Sequence, residues 1–253
     1  MTKIQVLDHG YLELVESWGS DERIIAAARM STNKGFEGWG PTCSNCGYNQ
    51  DHELVVGYVC PFCNGKVVQG DEKLLRFLYE NNHATPFEMA GAIIEVQAPI
   101  FVFREWHRHR TQSYNEMSAR YTPLPDTNYV PTVERLMINS KTNKQAGVVA
   151  GAAALTEETA EAYRAGLIDG YNVAESFYQI ALRNGVPKEL ARIHLPVGRY
   201  SRMRASANLR NWLAFLTLRM APNAQYEIRE YANALHDVLK GLFPRTLELF
   251  DGK

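Results

Sequence analysis

Four cysteines impose the tightest local constraint on this chain. They stand as Cys43-x-x-Cys46 and Cys60-x-x-Cys63, two knuckles separated by thirteen residues, and the chain has no others. Thiolates at this spacing close a tetrahedral Zn²⁺ site. Glycines close behind the pairs, Gly47 and Gly65, let the backbone turn so that amides point at sulfur. Two disulfides or a redox CxxC are the competing readings, disfavoured by a reducing compartment and by the lack of a βαβ context. Residues 41–66 therefore read as a zinc ribbon inserted after the first helix. So short a segment has no room for its own core, so the metal supplies its folding free energy. The expected role is structural, because four sulfur ligands leave no open position for water.

The 253 residues suit one large domain, 1–253, carrying that insertion. The apolar share of 45% and charged share of 22% are those of a globular protein. A net charge of −1 argues against a nucleic-acid-binding domain, which is typically basic. Basic residues concentrate instead at 104–120 and 192–219, a pattern that suits a small anionic ligand. No apolar run reaches the roughly 20 residues that cross a bilayer. Residues 1–8 lack a signal-peptide core. The expectation is a cytoplasmic protein without membrane contact.

Hydrophobic periodicity predicts a mixed α/β chain. Strands are expected at 2–8 and 11–15 around His9-Gly10, at 92–98 with Ile94 and Val96 inward, and at 199–206 carrying Arg202 and Arg204. Helices are expected at 21–30 behind the N-cap Ser20, at 71–82 over Leu74, Leu75, Leu78 and Tyr79, and at 100–108. The longest helix starts at the cap Thr156 and ends at Asn184-Gly185. It would turn Ala160, Tyr163, Leu167, Tyr171, Ala174, Phe177 and Ala181 inward. Two more follow at 208–219 and 224–239. Residues 123–143, with three prolines, read as a loop.

The chemistry concentrates in Arg108-His109-Arg110-Thr111-Gln112-Ser113-Tyr114-Asn115-Glu116-Met117-Ser118-Ala119-Arg120-Tyr121. Guanidiniums bind phosphates and planar oxygen edges bidentately. The interleaved Ser, Tyr, Asn and Glu point to a site rather than a solvated basic face. Arg-His-Arg, seven residues, then Ser, with Asn-Glu before it and Arg-Tyr after, resembles the signature of the flavin-dependent thymidylate synthases. Agreeing segments are His83-Ala84-Thr85-Pro86-Phe87-Glu88, Ala191-Arg192-Ile193-His194-Leu195-Pro196, Asn208-Leu209-Arg210, Arg219, and Ala224-Gln225-Tyr226-Glu227-Ile228. The resemblance runs from about residue 20 to about 232, and the ribbon departs from the usual family pattern.

That resemblance implies a ThyX-like fold with a small sheet and long helices, and methylation of dUMP to dTMP. It implies methylenetetrahydrofolate as carbon donor, FAD as hydride carrier, NADPH as reductant, and a homotetramer with active sites between subunits. It assigns His83, Thr85, Glu88, Arg108, His109, Arg110, Glu116, Asn208 and Arg210 to FAD. To dUMP it assigns Glu105, Arg108, Glu116, Ser118, Arg120, Arg192 and Arg219. Arg219 is the expected catalytic residue, its charge stabilising an enolate-like pyrimidine. Ser118, also named catalytic, is read as a positioning hydroxyl, since no base adjoins it in sequence. Gln225 and Glu227 would support the shell. No GxGxxG or Walker A loop is present, so a Rossmann unit does not hold the cofactors.

Plainer readings stand beside these. Thr85-Pro86-Phe87-Glu88 fits a capping box, which alone would explain Thr85 and Glu88; a lone His83 is commonly structural. Arg192 and Arg219 could each pair with a surface carboxylate. Two departures from the family pattern matter: Glu105 stands where a Gln is expected, and Ala214 where a polar flavin contact is expected. The rival function is a non-catalytic zinc-ribbon nucleic-acid-binding protein, which leaves Asn115-Glu116 and the near-neutral charge unexplained. A nucleotide hydrolase using Glu88 and Glu116 lacks the clustered carboxylates that Mg²⁺ needs. With all four cysteines given to metal, no thiol remains to attack the pyrimidine.

Overall fold

The computed structural model describes residues 3–48, 54–140 and 146–252. Thr2 of the first expected strand, residues 49–53 of the expected ribbon and 141–143 of the expected loop lie outside them. The elements in chain order are β1 (Ile4–Val6), β2 (Gly10–Trp18), α1 (Asp21–Arg29), β3 (Thr42–Cys43), β4 (Val67–Val68), α2 (Asp71–Glu80), α3 (Ala84–Glu88), β5 (Gly91–Pro99) and α4 (Ile100–Trp106). There follow β6 (Ser113–Glu116), α5 (Val133–Met137), α6 (Glu157–Arg183), α7 (Lys188–Ala191), β7 (Tyr200–Asn208), α8 (Leu209–Arg219), α9 (Tyr226–Leu242) and α10 (Pro244–Asp251). The fold is mixed α/β, with a five-stranded sheet in the order β1-β2-β5-β7-β6 and a two-stranded ribbon β3-β4.

Two compact units divide the chain. The first comprises Met1–Val15, Ile94–Ala205 and Phe215–Ala234. In it β1 and β2 pair antiparallel, Val6 opposite Gly10, at the expected turn. A Cβ on Gly10 would lie 1.9 Å from Tyr231 Oη and 2.6 Å from Val6 O, so only glycine fits where the chain reverses. Period-2 burial along β5 leaves Ile94, Val96 and Ala98 fully covered and Glu95 and Gln97 half-buried, as read from the sequence. Trp106, at the end of α4, is wholly buried against Phe215 and Tyr231, with ring centroids 4.6 and 6.3 Å away. Arg199 is also fully buried; it holds Asp126 at 3.1 Å, Glu175 at 2.5 Å and the Leu124 carbonyl.

The long helix is where expected but not covered as expected. Thr156 caps α6 in a capping box with Thr159, yet only Ala160 and Tyr178 are buried. Tyr163 and Phe177, expected inward, are 56% and 60% exposed, and Val173 beside them 70%. Periodicity registers an apolar face; it does not say what covers that face. The proline-rich stretch also departs from expectation: its described part contains α5, capped by Thr132, whose hydroxyl accepts from Arg135 N–H at 3.1 Å.

The second unit comprises Glu16–Ile93, Ser206–Ala214 and Leu235–Lys253. Its core gathers Ile24 and Ile25 of α1, Leu75 and Leu78 of α2, Trp212, Leu235, Leu239 and Leu247. Ser20 caps α1 by accepting from Arg23 N–H at 3.3 Å. The ribbon's two ends meet at a neck. A Cβ on Gly70 would sit 1.9 Å from Gly40 O. Beside it the fully buried Asp71 takes the Arg29 guanidinium and the Glu37 amide. The capping box expected at 85–88 does not form. Helix α3 starts two residues earlier, at Ala84, behind His83, which makes no capping bond; Pro86 is then third in the helix and Glu88 ends it.

Asp21 ties the start of α1 to α10. It is 3% exposed and accepts from Thr246 Oγ1 at 2.6 Å, Arg245 N–H at 2.9 Å and Thr246 N–H at 3.3 Å. Replacing it with Ala orphans these donors while leaving the fold's apolar contacts in place. We expect Asp21→Ala to cost roughly 2–4 kcal/mol, read as a lower urea midpoint at unchanged m-value.

Candidate active site

In the first unit the signature leaves α4 as a compact turn. Trp106 Nε1 donates to Gln112 Oε1 at 3.0 Å across it. Tyr114 Oη donates to the carbonyls of His109 at 2.7 Å and Trp106 at 3.1 Å. Burial lifts the Tyr114 hydroxyl to about 12, so it remains a donor at neutral pH. These bonds fix the arc from Arg108 to Arg110 and leave both arginines exposed. Sequence reasoning missed this scaffold: nothing in the spacing of Trp106, Gln112 and Tyr114 announces that they bond to one another.

The best-built feature lies around Arg219, at the end of α8. Its Nε donates to His109 Nε2 at 2.9 Å, Nη1 to Glu105 Oε2 at 2.7 Å, and Nη2 to the Glu105 carbonyl at 2.9 Å. His109 must therefore be neutral, with its proton on Nδ1. Burial and then the adjacent guanidinium depress its pKa to about 4. Burial raises Glu105 above the ordinary carboxylate range, against the pull of Arg219, and Glu227 adds to the rise. Glu227 is buried too; it holds Arg135 bidentately at 2.8 and 3.3 Å and accepts from Tyr129 Oη at 3.0 Å and Gln225 Nε2 at 2.8 Å. Gln225 and Glu227, expected to support the site, are thus bonded to each other, with Arg135 and Tyr129 on the same carboxylate.

Glu116 ends β6 and faces a 270 Å³ pocket with Asn115, Met117, Glu95, Arg202 and Arg204. Ser118 Oγ accepts the Arg120 amide at 3.3 Å; among the described residues no His or carboxylate bonds to it, in keeping with a positioning hydroxyl. Among the described residues the Arg120 side chain pairs with Glu189 alone, at 3.3 Å between two exposed side chains, which leaves it available to a ligand. Arg192 is half-buried in a 3₁₀ turn after α7.

The second unit carries the other flavin-assigned residues. His83 and Thr85 line a 330 Å³ cleft with Ala28, Leu78, Ala84 and Pro86. Glu88 pairs with Arg210 at 2.5 Å, an exposed pair that joins α3 to α8. Asn208 caps α8, accepting from Asn211 N–H at 3.0 Å. Ala214 is exposed and offers no polar side chain. Cys43, Cys46, Cys60 and Cys63 place all four sulfurs within 4.8 Å of one another.

The family described as Thymidylate synthase complementing protein matches residues 13–245. The chain belongs to that family. Among its relatives, a flavin-dependent thymidylate synthase of Thermus thermophilus is 35% identical over 248 residues, 98% of this chain and 78% of that protein. The flavin-dependent thymidylate synthase of Wolbachia pipientis wMel is 34% identical over 246 residues, 97% and 75% of the two. A solved UMP/dUMP methylase, PolB from Streptomyces cacaoi bound with 5-Br UMP, superposes with a TM-score of 0.74 at 28% identity, covering 98% and 97%. The matched residues include both knuckles and extend far beyond them.

Held against Arg219, the His109 imidazole stays neutral through the range where free histidine titrates. NMR of ring-labelled protein should show a midpoint near 4, and Arg219→Ala should move it upward, since a depressing cation has gone.

Proposed function

We propose that this protein is a flavin-dependent thymidylate synthase that methylates dUMP to dTMP, with methylenetetrahydrofolate as one-carbon donor and NADPH as reductant. The carrying observation is the guanidinium of Arg219, oriented by Glu105 and His109 on the family's own signature turn. FAD, when bound, supplies the hydride chemistry. Thr85 and His83 in their cleft, Arg210, the cap Asn208 and the signature residues Arg108, His109, Arg110 and Glu116 are the groups that would hold it. The residues fit it: the exposed guanidiniums of Arg108 and Arg110 suit a diphosphate, and His83 and Thr85 line a cleft of 330 Å³.

The chain's own residues then divide the work. Arg120 and Arg192 hold the nucleotide phosphate, Arg120 from an exposed pair that costs little to exchange. Ser118 and Glu116 place the sugar and base. Arg219 presents its remaining N–H donors to a pyrimidine carbonyl, where negative charge gathers as C5 becomes nucleophilic. No thiol attacks the ring, because every cysteine belongs to the four-sulfur cluster. The reading carries a cytoplasmic setting with it; among the described residues no helix is long and apolar enough to cross a membrane. It also carries a homotetramer with active sites between subunits. The exposed Tyr163, Val173 and Phe177 of α6 support self-association.

Zinc is the proposed occupant of the cysteines. Cys43 and Cys63 Sγ are 3.4 Å apart and Cys46 and Cys60 Sγ 3.8 Å, close to the roughly 3.8 Å edge of a tetrahedron with 2.3 Å Zn–S bonds. The amides of Cys46 and Asn45 hold Cys43 down at about 6. Cys46, whose sulfur has the Tyr48 amide but three sulfurs crowding it, is pushed up to about 12. Four thiols this close cannot all ionise without a cation. The expected glycine turns are half right: Gly47 is left-handed at φ +72°, while Asn64 takes that role after the second pair at φ +55°. Gly65 instead makes room, since a Cβ there would lie 2.7 Å from Cys43 Sγ. We expect Gly65→Ala to bind less than one zinc per chain by elemental analysis, with wild type at one.

The activity test is anaerobic tritium release from [5-³H]dUMP with FAD and NADPH omitted in turn. Release that needs both supports the proposal, and [5-³H]UMP run alongside tests whether the substrate range is as wide as that of PolB, a UMP/dUMP methylase. Arg219→Ala should lower turnover about 10²–10³-fold. Full activity in that variant removes Arg219 from catalysis.

A further inference from the structure

We infer that Glu105 is a positioning residue with a second effect on specificity: it fixes the Arg219 guanidinium in place and, when ionised, screens its charge from an anionic nucleotide. The inference rests on the dUMP reading and deepens it.

A guanidinium has five N–H donors. Three of those on Arg219 are committed, one to the Glu105 carboxylate, one to the Glu105 carbonyl and one to His109 Nε2. That leaves two, one on each terminal nitrogen, held on a planar fork that cannot swing without breaking the clamp. His109 contributes an acceptor without charge, so the clamp's only anion is Glu105. Among the described residues no other carboxylate lies within ion-pair distance of Arg219, whose side chain is 18% exposed. Glu105 thus does two separable things. Its oxygens aim the guanidinium, which any carbonyl-type acceptor could do. Its negative charge offsets the guanidinium's positive charge, which only a carboxylate does.

The charged and titratable groups facing Glu105 are few. Arg219 comes from α8 and His109 from the signature turn; Glu227 lies on α9, with Arg135 of α5 bonded to it bidentately and Tyr129 donating to it. Glu227 is itself compensated by Arg135, which leaves Arg219 to Glu105 alone. Glu105 has either Arg219 or a proton. A nucleotide anion arriving near Arg219 favours the proton, which links binding to the protonation of this one carboxyl. Burial already places its titration above the usual carboxylate range. Above that titration wild type binds dUMP against a resident charge; below it the site resembles one with a neutral amide.

The test compares dUMP binding to FAD-loaded wild type, Glu105→Gln and Glu105→Ala by calorimetry from pH 5 to 8. Glu105→Gln keeps an acceptor and drops the charge, so at pH 8 it should bind dUMP at least about threefold tighter than wild type. The ratio should fall to one as the pH drops through the Glu105 titration. Ionisation of the dUMP phosphate is common to both proteins and cancels in that ratio. Glu105→Ala loses the side-chain oxygen that aims Nη1 as well as the charge, so its kcat should fall about tenfold or more below that of Glu105→Gln. A ratio independent of pH, or Gln and Ala variants that weaken binding alike, overturns the inference while leaving the enzyme reading intact. Failure of the wild-type holoenzyme to bind dUMP at any pH overturns both.

Discussion

The burial of Trp106 is the contact on which the candidate site depends. It ends α4 two residues before the Arg-His-Arg run, and its indole is enclosed by Phe215 and Tyr231. Phe215 lies four residues before Arg219, one helical turn along α8, so a single packed ring registers the signature turn against the helix end that carries the catalytic candidate. The same indole donates to Gln112, which closes the turn from the other side. An indole N–H buried without a partner is costly, so packing and hydrogen bonding select the same conformation. The exposed arginines on the turn contribute nothing to holding it; they are free to serve a ligand because the apolar ring beneath does the holding.

Much of this was legible in the sequence because it is periodic. The alternation over residues 92–98 specifies one face of β5, and the cap Ser20 and the Asn208–Arg210 boundary mark real helix starts. The Arg-rich signature and the knuckles were legible because their chemistry demands fixed residue types at fixed spacings. What the sequence hid was non-local. The Glu105–Arg219 clamp joins residues 114 positions apart, and Arg199 reads as one more basic residue until Asp126 and Glu175 are found around it. Thr85–Glu88 matched a capping pattern, but the chain entered α3 two residues early, and Glu88 went to Arg210 instead. Local pattern cannot decide between two partners for one carboxylate. Distance along the chain is the limit.

The face of α6 marks the same limit at a larger scale. Tyr163 and Phe177 recur as a buried stripe should, and the sequence reading placed them inside. In the folded chain they are bare, because a hydrophobic stripe records that something must cover it without recording whether the cover is the same molecule.

Charge in this protein is handled by pairing at every depth. Buried Glu227 has Arg135, Asp71 has Arg29, Arg199 has Glu175, and the four cysteine sulfurs lie close enough together to hold a metal ion. Such pairs are strong only while complete: removing one member leaves a desolvated charge. The clamp at Arg219 follows the same rule with one difference. Its acid is only half-buried and pushed toward neutrality, and its base retains two unspent donors. The pair aims the guanidinium, while its two unspent donors remain for a ligand and its acid can take up a proton from solvent where negative charge gathers.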